Sequence, residues 1–290
     1  MSAPTAPIRP TIRLKPKAQP RAIRHGFPWA YDNEIVTDRR TKALAPGTIA
    51  RLEDDEQRPL GAVAVNPNSR IFARVLDRDP AAVIDRAWLA AKLDMALAHR
   101  TRLYDAPYYR LVHAEADGLP GVIVDRFGDT AVLQPNAAWA DVLAEDLAQA
   151  LVEVTGVAHV LKNASGRART LEGLDEESRV LIGADPGRAE VPMNGATYIA
   201  DLTGGQKTGL FYDQRPNHAF AAGLAKGARV LDVFAHVGGF SLAALAAGAD
   251  SALAVDASAP ALALATEGAV ASGTGARFAT RQGEDRKSVV

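Results

Sequence analysis

The sequence predicts a multidomain α/β protein with an N-terminal β-barrel, a small central α+β unit and a C-terminal nucleotide-binding unit. At 290 residues it is too long for one ordinary domain. Residues 1–79 contain short strand-like segments punctuated by Gly, Pro and Asn, as small barrels do. Residues 80–190 mix long helical patterns with a hairpin. Residues 191–290 contain strand, glycine turn, small-residue helix and strand in succession, which predicts a βαβ unit.

The composition indicates a soluble globular protein. Hydrophobic residues make up 48% and charged residues 23% of the chain. Apolar runs stay well short of the roughly 20 residues that span a bilayer, and the N-terminus lacks the apolar region of a secretory signal. Without cysteine the chain can form no disulfide, thiolate nucleophile or Cys-based metal site. We therefore predict a cytoplasmic protein with no membrane partner and no metal.

The N-terminal arm is basic although the net charge is only −1. Residues 1–42 hold nine Lys and Arg against three acids, and the first acid is Asp32. Such an imbalance indicates contact with phosphate groups. Five prolines between Pro4 and Pro20 are equally compatible with a solvated tail. Both interpretations stay open from charge alone.

The barrel is predicted from strand-like segments that are separated by turn residues. These segments are residues 12–16, 46–55, 59–69 and 70–77. Between the first two lie Phe27, Trp29 and Tyr31. These rings suit either stacking on RNA bases or the core of the barrel, and from the residues alone we favour the core.

The central unit begins with an amphipathic helix over residues 81–104, which Pro107 terminates. Residues 121–127 and 130–134 form a predicted hairpin around Gly128-Asp129. A helix over 139–154 and a strand over 157–163 follow. The polar segment 165–174, with Arg167 and Arg169, is predicted to be an exposed loop. Glu115 and Asp117 precede a tight turn, and we interpret them as turn residues rather than as a catalytic pair.

The C-terminal unit opens with Asn194-Gly195 between alternating apolar residues, a strong hairpin signal. A short helix is predicted over 219–225. The apolar run 230–234 contains a single acid, which predicts a parallel strand buried on both faces. Gly238-Gly239 forms the turn into a helix over 240–247, and 251–255 is the next strand. Ser258 is a predicted N-cap of a helix over 259–271, and a third strand starts near residue 277.

The glycine turn indicates which cofactor the unit binds. Dinucleotide sites use G-x-G-x-x-G, whereas here Phe234 stands in place of the first glycine, which argues against a pyrophosphate. Asp232 can accept a hydrogen bond from an ammonium, and Asp256 can accept both hydroxyls of a ribose. An ammonium together with an adenosine ribose indicates S-adenosylmethionine (SAM). The alternative is that Asp232 caps the glycine turn and Asp256 the next helix; we favour the cofactor.

Four stretches together resemble a known family. They are FPWAYDNEI, RLVHAEADGLPGVIVDRFGD, QKTGLFYDQRPNH and VLDVFAHVGGFSLAALAAGADSALAVDAS. In this order they resemble the class I SAM-dependent RNA methyltransferases with an N-terminal PUA domain, which include the 23S rRNA 5-methylcytosine methyltransferases. The resemblance runs from about residue 12 to residue 283. It implies a PUA-like barrel, a central α+β domain and a Rossmann-like methyltransferase domain.

The resemblance also implies a set of cofactor-binding residues and an RNA partner. Gln214 and Arg215 would cover the methionine side of the cofactor. Phe234, Gly238 and Gly239 would line it, and Asp256 would hold the ribose. The barrel and the basic arm would bind ribosomal RNA, and a homo-oligomer is compatible with the sequence. His236 and Val237 depart from the Tyr and Thr/Ser that often precede the paired glycines in the family.

A larger departure concerns the end of the chain. A class I methyltransferase sheet has seven strands, whereas this chain stops near the third, and GEDRKSVV no longer resembles the family. Methylation of cytosine at carbon 5 needs a thiolate, and no such catalytic residue is present. We therefore expect a truncated chain without carbon-5 activity. The alternatives are a non-catalytic RNA-binding fragment and a methyltransferase that modifies a ring nitrogen or exocyclic amine without a thiol.

Overall fold

The computed structural model describes residues 9–204 and 209–283, which divide into two compact units. The first unit contains the described residues up to Asp105 together with Leu111–Val124 and Asp129–Ala184. The second contains Ala106–Arg110, Asp125–Gly128 and the described residues from Asp185 onward. The first unit thus holds the predicted barrel and nearly all of the predicted central domain.

The barrel of the first unit is a five-stranded sheet in the order β1-β3-β4-β5-β2. Its elements are β1 (Thr11–Arg13), α1 (Pro20–Arg24), β2 (Trp29–Ala30), α2 (Arg39–Lys42), β3 (Thr48–Glu53), β4 (Pro59–Val65) and β5 (Ala73–Asp77). The strand segments predicted here are confirmed. Strand β1 runs parallel to β3, whereas β3, β4 and β5 pair antiparallel.

The three aromatic rings of the barrel do not form its core, so the favoured prediction is wrong. The core consists of aliphatic residues such as Ile12, Leu52 and Val63, together with Phe72. Phe27 is 41% exposed, and Trp29 and Tyr31 are half-buried. We therefore define Phe27, Trp29 and Tyr31 as the aromatic cluster, whose ring centroids lie 5.9–6.4 Å apart.

A second sheet has the order β10-β9-β8-β7-β6. The elements in this part of the chain are α3 (Arg86–Leu103), β6 (Tyr108–His113), β7 (Val122–Phe127), β8 (Thr130–Pro135), α4 (Ala138–Val142), α5 (Ala144–Thr155), β9 (His159–Lys162), α6 (Arg167–Glu172) and β10 (Arg179–Ile182). The predicted long helix and the strands β7 and β8 are confirmed. The helix predicted over 139–154 is broken at Leu143 into α4 and α5.

The segment predicted as an exposed loop is helix α6, and two of its charged side chains are buried. Arg169 is 0% exposed and donates from Nη1 to Asp141 Oδ1 at 2.8 Å. Glu172 is also buried and accepts from Arg74 Nη2 at 2.9 Å. The prediction was wrong because charge suggests exposure, whereas buried charges with charged partners are stable inside a protein. Glu115 accepts from Trp29 Nε1 at 3.0 Å, which supports a structural rather than a catalytic role.

The second unit contains a hairpin and a three-stranded parallel sheet in the order β13-β14-β15. Its elements are β11 (Arg188–Met193), β12 (Ala196–Asp201), α7 (Arg215–Gly223), β13 (Arg229–Val233), α8 (Gly239–Ala246), β14 (Ser251–Asp256), α9 (Ala259–Ala271) and β15 (Phe278–Gln282). The predicted hairpin is confirmed, with Asn194 and Gly195 both in the left-handed region at φ of 52° and 76°. Ser258 Oγ accepts from Ala261 N and caps α9, as predicted.

Strand β13 is not buried on both faces, which corrects the prediction made from its apolar run. Val230 packs against Ala244, Leu245 and Ala252, so the helices cover one face of the sheet. On the other face Leu231 is 65% and Val233 50% exposed. Within residues 9–204 and 209–283, β13 is an edge strand of its sheet.

Each helix of residues 9–204 and 209–283 is too short or too polar to cross a membrane.

Candidate cofactor site

The candidate site lies in the second unit, where β13 and β14 end. The turn between β13 and α8 (residues 234–239) places Phe234, His236 and Gly238 in the left-handed region at φ of 62°, 50° and 78°. Only glycine adopts this region at little cost, and for other residues it costs on the order of 1 kcal/mol. Phe234 is also 74% exposed. Backbone strain combined with an exposed aromatic ring is typical of a ligand-binding turn.

Asp232 lies on the helix-covered face of β13 and is buried. Its Oδ2 accepts hydrogen bonds from Ser241 N at 3.0 Å and Ser241 Oγ at 2.9 Å. It thereby binds the first turn of α8, as in the capping alternative of the sequence analysis. Burial raises the pKa of Asp232 above its usual range, opposed by the hydrogen bonds from Ser241. A cation at this carboxyl group would therefore be favourable.

Asp256, at the end of β14, fixes two neighbouring backbone segments. Its Oδ2 accepts from His236 N at 2.8 Å, and its Oδ1 accepts from Ser258 N at 2.8 Å. Ala235 N also donates to Val255 O at 3.1 Å, so the turn is held against the end of β14. Each carboxylate oxygen has a second lone pair that can accept a further hydrogen bond. Asp256 can thus hold the turn and still bind a hydroxyl pair.

The third motif leads into α7, and its Phe211 contacts the glycine turn. The ring of Phe211 lies edge-on to that of His236, with centroids 5.0 Å apart. Arg215 Nη1 donates to Tyr108 O at 2.9 Å, and Arg215 O accepts from Asn194 Nδ2 at 2.9 Å. Gln214 Oε1 accepts from Asn217 Nδ2 at 3.0 Å. Lys207 of the same motif lies outside the described residues.

Two buried side chains that the sequence analysis did not single out hold the start of α8. Tyr198 Oη donates to Gly239 O at 3.1 Å, and its pKa is raised because its phenol is buried. His218 is 4% exposed and lies against Gly239. His218 ends the third motif, but no local pattern in the sequence indicates that Gly239, 21 residues later, packs against it.

The structure therefore brings most of the predicted residues to one place. Asp232, Asp256 and the turn with Phe234, Gly238 and Gly239 are joined by direct hydrogen bonds or by the chain itself. Gln214 and Arg215 precede His218, which meets the turn, but the guanidinium of Arg215 is engaged with backbone. Asp232 and Asp256 supply carboxylates and the turn supplies backbone amides, whereas the side chains of Gln214 and Arg215 bond Asn217 and Tyr108 O.

Comparisons with known proteins give the family of each part. Residues 12–78 match the PUA-like domain family, and residues 149–273 match the S-adenosylmethionine-dependent methyltransferase family. The chain is 37% identical over 273 residues to a ribosomal RNA large subunit methyltransferase of Deinococcus radiodurans, covering 90% of this chain and 66% of that protein. It is 34% identical to ribosomal RNA large subunit methyltransferase I of Alteromonas mediterranea, covering 88% and 64%. The chain thus spans slightly less than two thirds of these relatives.

Solved structures show the same fold. A Streptococcus mutans protein described as a SAM-dependent methyltransferase superposes with a TM-score of 0.79 at 18% identity, covering 95% of this chain and 71% of that one. A second solved structure, described as a methyltransferase in complex with S-adenosylhomocysteine (SAH), superposes with a TM-score of 0.78 at 18% identity. The match covers 96% of this chain and 70% of that one. By these fold and family matches, residues 12–78 belong to a PUA-like domain and residues 149–273 to a domain of the S-adenosylmethionine-dependent methyltransferase family.

Proposed function

We propose that this protein binds SAM at the turn between β13 and α8 and transfers its methyl group to large-subunit ribosomal RNA. The observation that carries the proposal is the pair of acids at the ends of β13 and β14. Asp232 is buried beside the start of α8, and Asp256 binds the backbone on both sides of the turn. This is the edge at which open parallel sheets bind nucleotide-like ligands.

Each residue of the site has a proposed role. Asp232 attracts the ammonium of the SAM amino-acid moiety, and Asp256 accepts the ribose hydroxyls. Phe234, exposed at the start of the turn, packs on the adenosine. Gly238 and Gly239 let the backbone approach the ligand closely. Gln214 and Arg215 cover the methionine side, with Arg215 acting in part through its hydrogen bond to Tyr108 O.

The proposed RNA substrate follows from the first unit and from the relatives. The aromatic cluster offers partly exposed rings on which bases can stack. Lys15, Lys17 and Phe27 line a neighbouring cavity of about 500 Å³. The basic arm starts outside the described residues and continues through this surface. Ribosomal RNA is proposed because the similar proteins are named as large-subunit RNA methyltransferases.

The methylated atom is proposed as carbon 5 of cytosine, as the family resemblance implies. Carbon-5 transfer proceeds by addition of a thiolate to carbon 6, which makes carbon 5 nucleophilic. The 290 residues contain no cysteine, so this chemistry would need a thiol from outside them. Transfer to a ring nitrogen or exocyclic amine needs no thiol and is the second candidate. A non-catalytic RNA-binding role is the third.

Calorimetry with SAM and SAH tests the cofactor site. We expect both ligands to bind the 290-residue chain. We expect Asp256→Asn to weaken binding by about tenfold to a hundredfold, because a charged acceptor for two hydroxyls is lost. Asp250→Asn, at the exposed start of β14, is the matched control and should bind as the parent does. No heat with either ligand would leave only the RNA-binding alternative.

Tritium release tests the methylated atom. Large-subunit RNA carrying tritium at carbon 5 of cytidine is incubated with SAM and the 290-residue chain, and in parallel with a version of the protein that includes any further residues the gene encodes. Carbon-5 transfer releases tritium to water in step with methylation, whereas nitrogen transfer methylates RNA and retains the tritium. We expect release only where a thiol from outside the 290 residues is present. Methylation without release would establish nitrogen transfer and exclude carbon 5.

A further inference from the structure

The buried imidazole of His218 lies directly on the first residue of α8. His218 is in the first turn of α7, and its Cε1 and Nε2 are both 2.5 Å from the position that a Cβ on Gly239 would occupy. The ring also meets the ring of Phe240 edge-on, with centroids 4.5 Å apart. The Cε1–Nε2 edge of the imidazole therefore faces the glycine turn.

The hydrogen-bonding state of His218 follows from its burial. Burial lowers its pKa to about 4, so the ring is neutral near pH 7 and carries one N–H. Its Nδ1 is buried and has no hydrogen-bond partner among the described residues. A proton on Nδ1 would bury an unpaired donor, which is costly, whereas a proton on Nε2 points at the turn. The geometry therefore favours the Nε2–H tautomer.

The start of α8 suits an anion beside this donor. Gly238 is the N-cap of α8, so the first amides of the helix point towards the turn, where those of Phe240 and Ser241 already donate to Asp232. Helix N-termini attract negative charge. Asp232 already binds Ser241 on the inner side of the same helix turn. The amino-acid moiety of SAM is a zwitterion. Its ammonium can pair with Asp232, and its carboxylate can accept hydrogen bonds from His218 and from the start of α8.

We propose that His218 is a cofactor-binding residue whose Nε2–H donates a hydrogen bond to the carboxylate of SAM at the first turn of α8. This inference rests on the proposed SAM site. A neutral donor suits this position because an imidazolium would repel the ammonium and the sulfonium of the same ligand. His218 thereby makes the site selective for the intact amino-acid moiety.

The test compares SAM with decarboxylated SAM, which differs from it only by the carboxylate. The parent chain should bind SAM at least tenfold more tightly in calorimetry. His218→Phe keeps a ring against Phe240 but removes the donor, so SAM binding should weaken by about tenfold or more while decarboxylated SAM binds within about threefold of the parent. His218→Gln supplies an amide donor and should restore part of the preference. His25→Phe, exposed in the first unit, should change nothing.

The outcomes separate the two proposals. Equal affinity of the parent for both ligands overturns the role of His218 while leaving SAM binding intact, and this comparison needs no variant to fold. Equal weakening of both ligands by His218→Phe also overturns it, because the ring would then act through packing alone. If the parent binds neither ligand, the proposed function fails as well.

Discussion

Arg169 in the first unit and His218 in the second are both buried basic side chains, yet only Arg169 has all its nitrogens engaged. Its Nε and Nη2 donate to Asp175, and its Nη1 donates to Asp141 and to Pro135 O. The Nδ1 atom of His218 has no hydrogen-bond partner among the described residues, and its ring packs against Gly239. A buried group with complete pairing stabilises a fold, whereas an incomplete one at a strained turn indicates a ligand site. The difference supports a structural role for Arg169 and the proposed ligand-binding role for His218.

Arg169→Met should have the largest effect on stability. The change removes the buried guanidinium that donates to Asp141, Asp175 and Pro135 O, although Asp141 keeps Lys162 as a partner. Breaking a buried ion pair costs about 3–5 kcal/mol. Urea denaturation monitored by circular dichroism measures the loss. Arg167→Met, two residues earlier and exposed, is the matched control and should change the free energy of unfolding by less than about 0.5 kcal/mol. Similar small losses in both variants would remove the contrast between Arg169 and His218.

The pH dependence of stability should report on His218. Its pKa falls from 6.5 to about 4 on folding, so below pH 6.5 the unfolded chain binds a proton that the folded chain does not. The free energy of unfolding that depends on this neutral ring is therefore fully present above pH 6.5. It is lost as the pH falls from 6.5 to 4, and the total loss is about 3 kcal/mol. The opposing influence is Asp213, whose charge raises the pKa.

The measurement compares the parent chain with His218→Phe by urea denaturation between pH 7.5 and 4.5. Carboxyl groups titrate in both proteins, so the difference between the two curves isolates the histidine. We expect the parent to lose more stability than the variant as the pH falls. Parallel curves would show that His218 titrates normally and is accessible to water.

Gly239→Ala should be destabilising by about 1–3 kcal/mol, because its Cβ would lie 2.5 Å from the imidazole of His218. The same substitution in a His218→Ala background has no clash, and alanine favours helix over glycine by about 1 kcal/mol. We therefore expect the sign to reverse in the double variant. Thermal denaturation of the four proteins completes the cycle. An unchanged cost in the double variant would show that the glycine is needed for another reason.

The sequence predicted the parts of the fold that depend on local rules. The Asn194-Gly195 hairpin needs only two residues that tolerate positive φ, and the Ser258 cap needs one hydroxyl before a helix. The βαβ order and the two acids at the strand ends follow from pattern in the same way. Asp232, Asp256 and the glycine turn lie together in the second unit, as the pattern predicts. Their contacts with SAM stay predictions.

The parts that sequence could not predict depend on distant contacts. Arg169 can be buried because it pairs with Asp141. That residue lies 28 positions away in the chain, and no local pattern in the sequence predicts such a pairing. His218 is buried by the turn at Gly239, and only the folded chain reveals it. The apolar run of β13 predicted two covered faces, whereas the helices of the described residues cover one. Periodicity indicates what a strand could bury and not what is present to cover it.

The exposed face of β13 is expected to affect self-association of the chain and to have the smallest effect on its stability. Leu231 and Val233 are exposed side by side on an edge strand, and such edges pair with other chains. We expect the parent chain to self-associate and Leu231→Lys to reduce this, with a change in unfolding free energy of less than about 0.5 kcal/mol. Light scattering at rising concentration measures it. Leu171→Lys, exposed in α6 of the first unit, controls for added charge. A monodisperse parent, or equal improvement in both variants, would show that the β13 edge does not drive association.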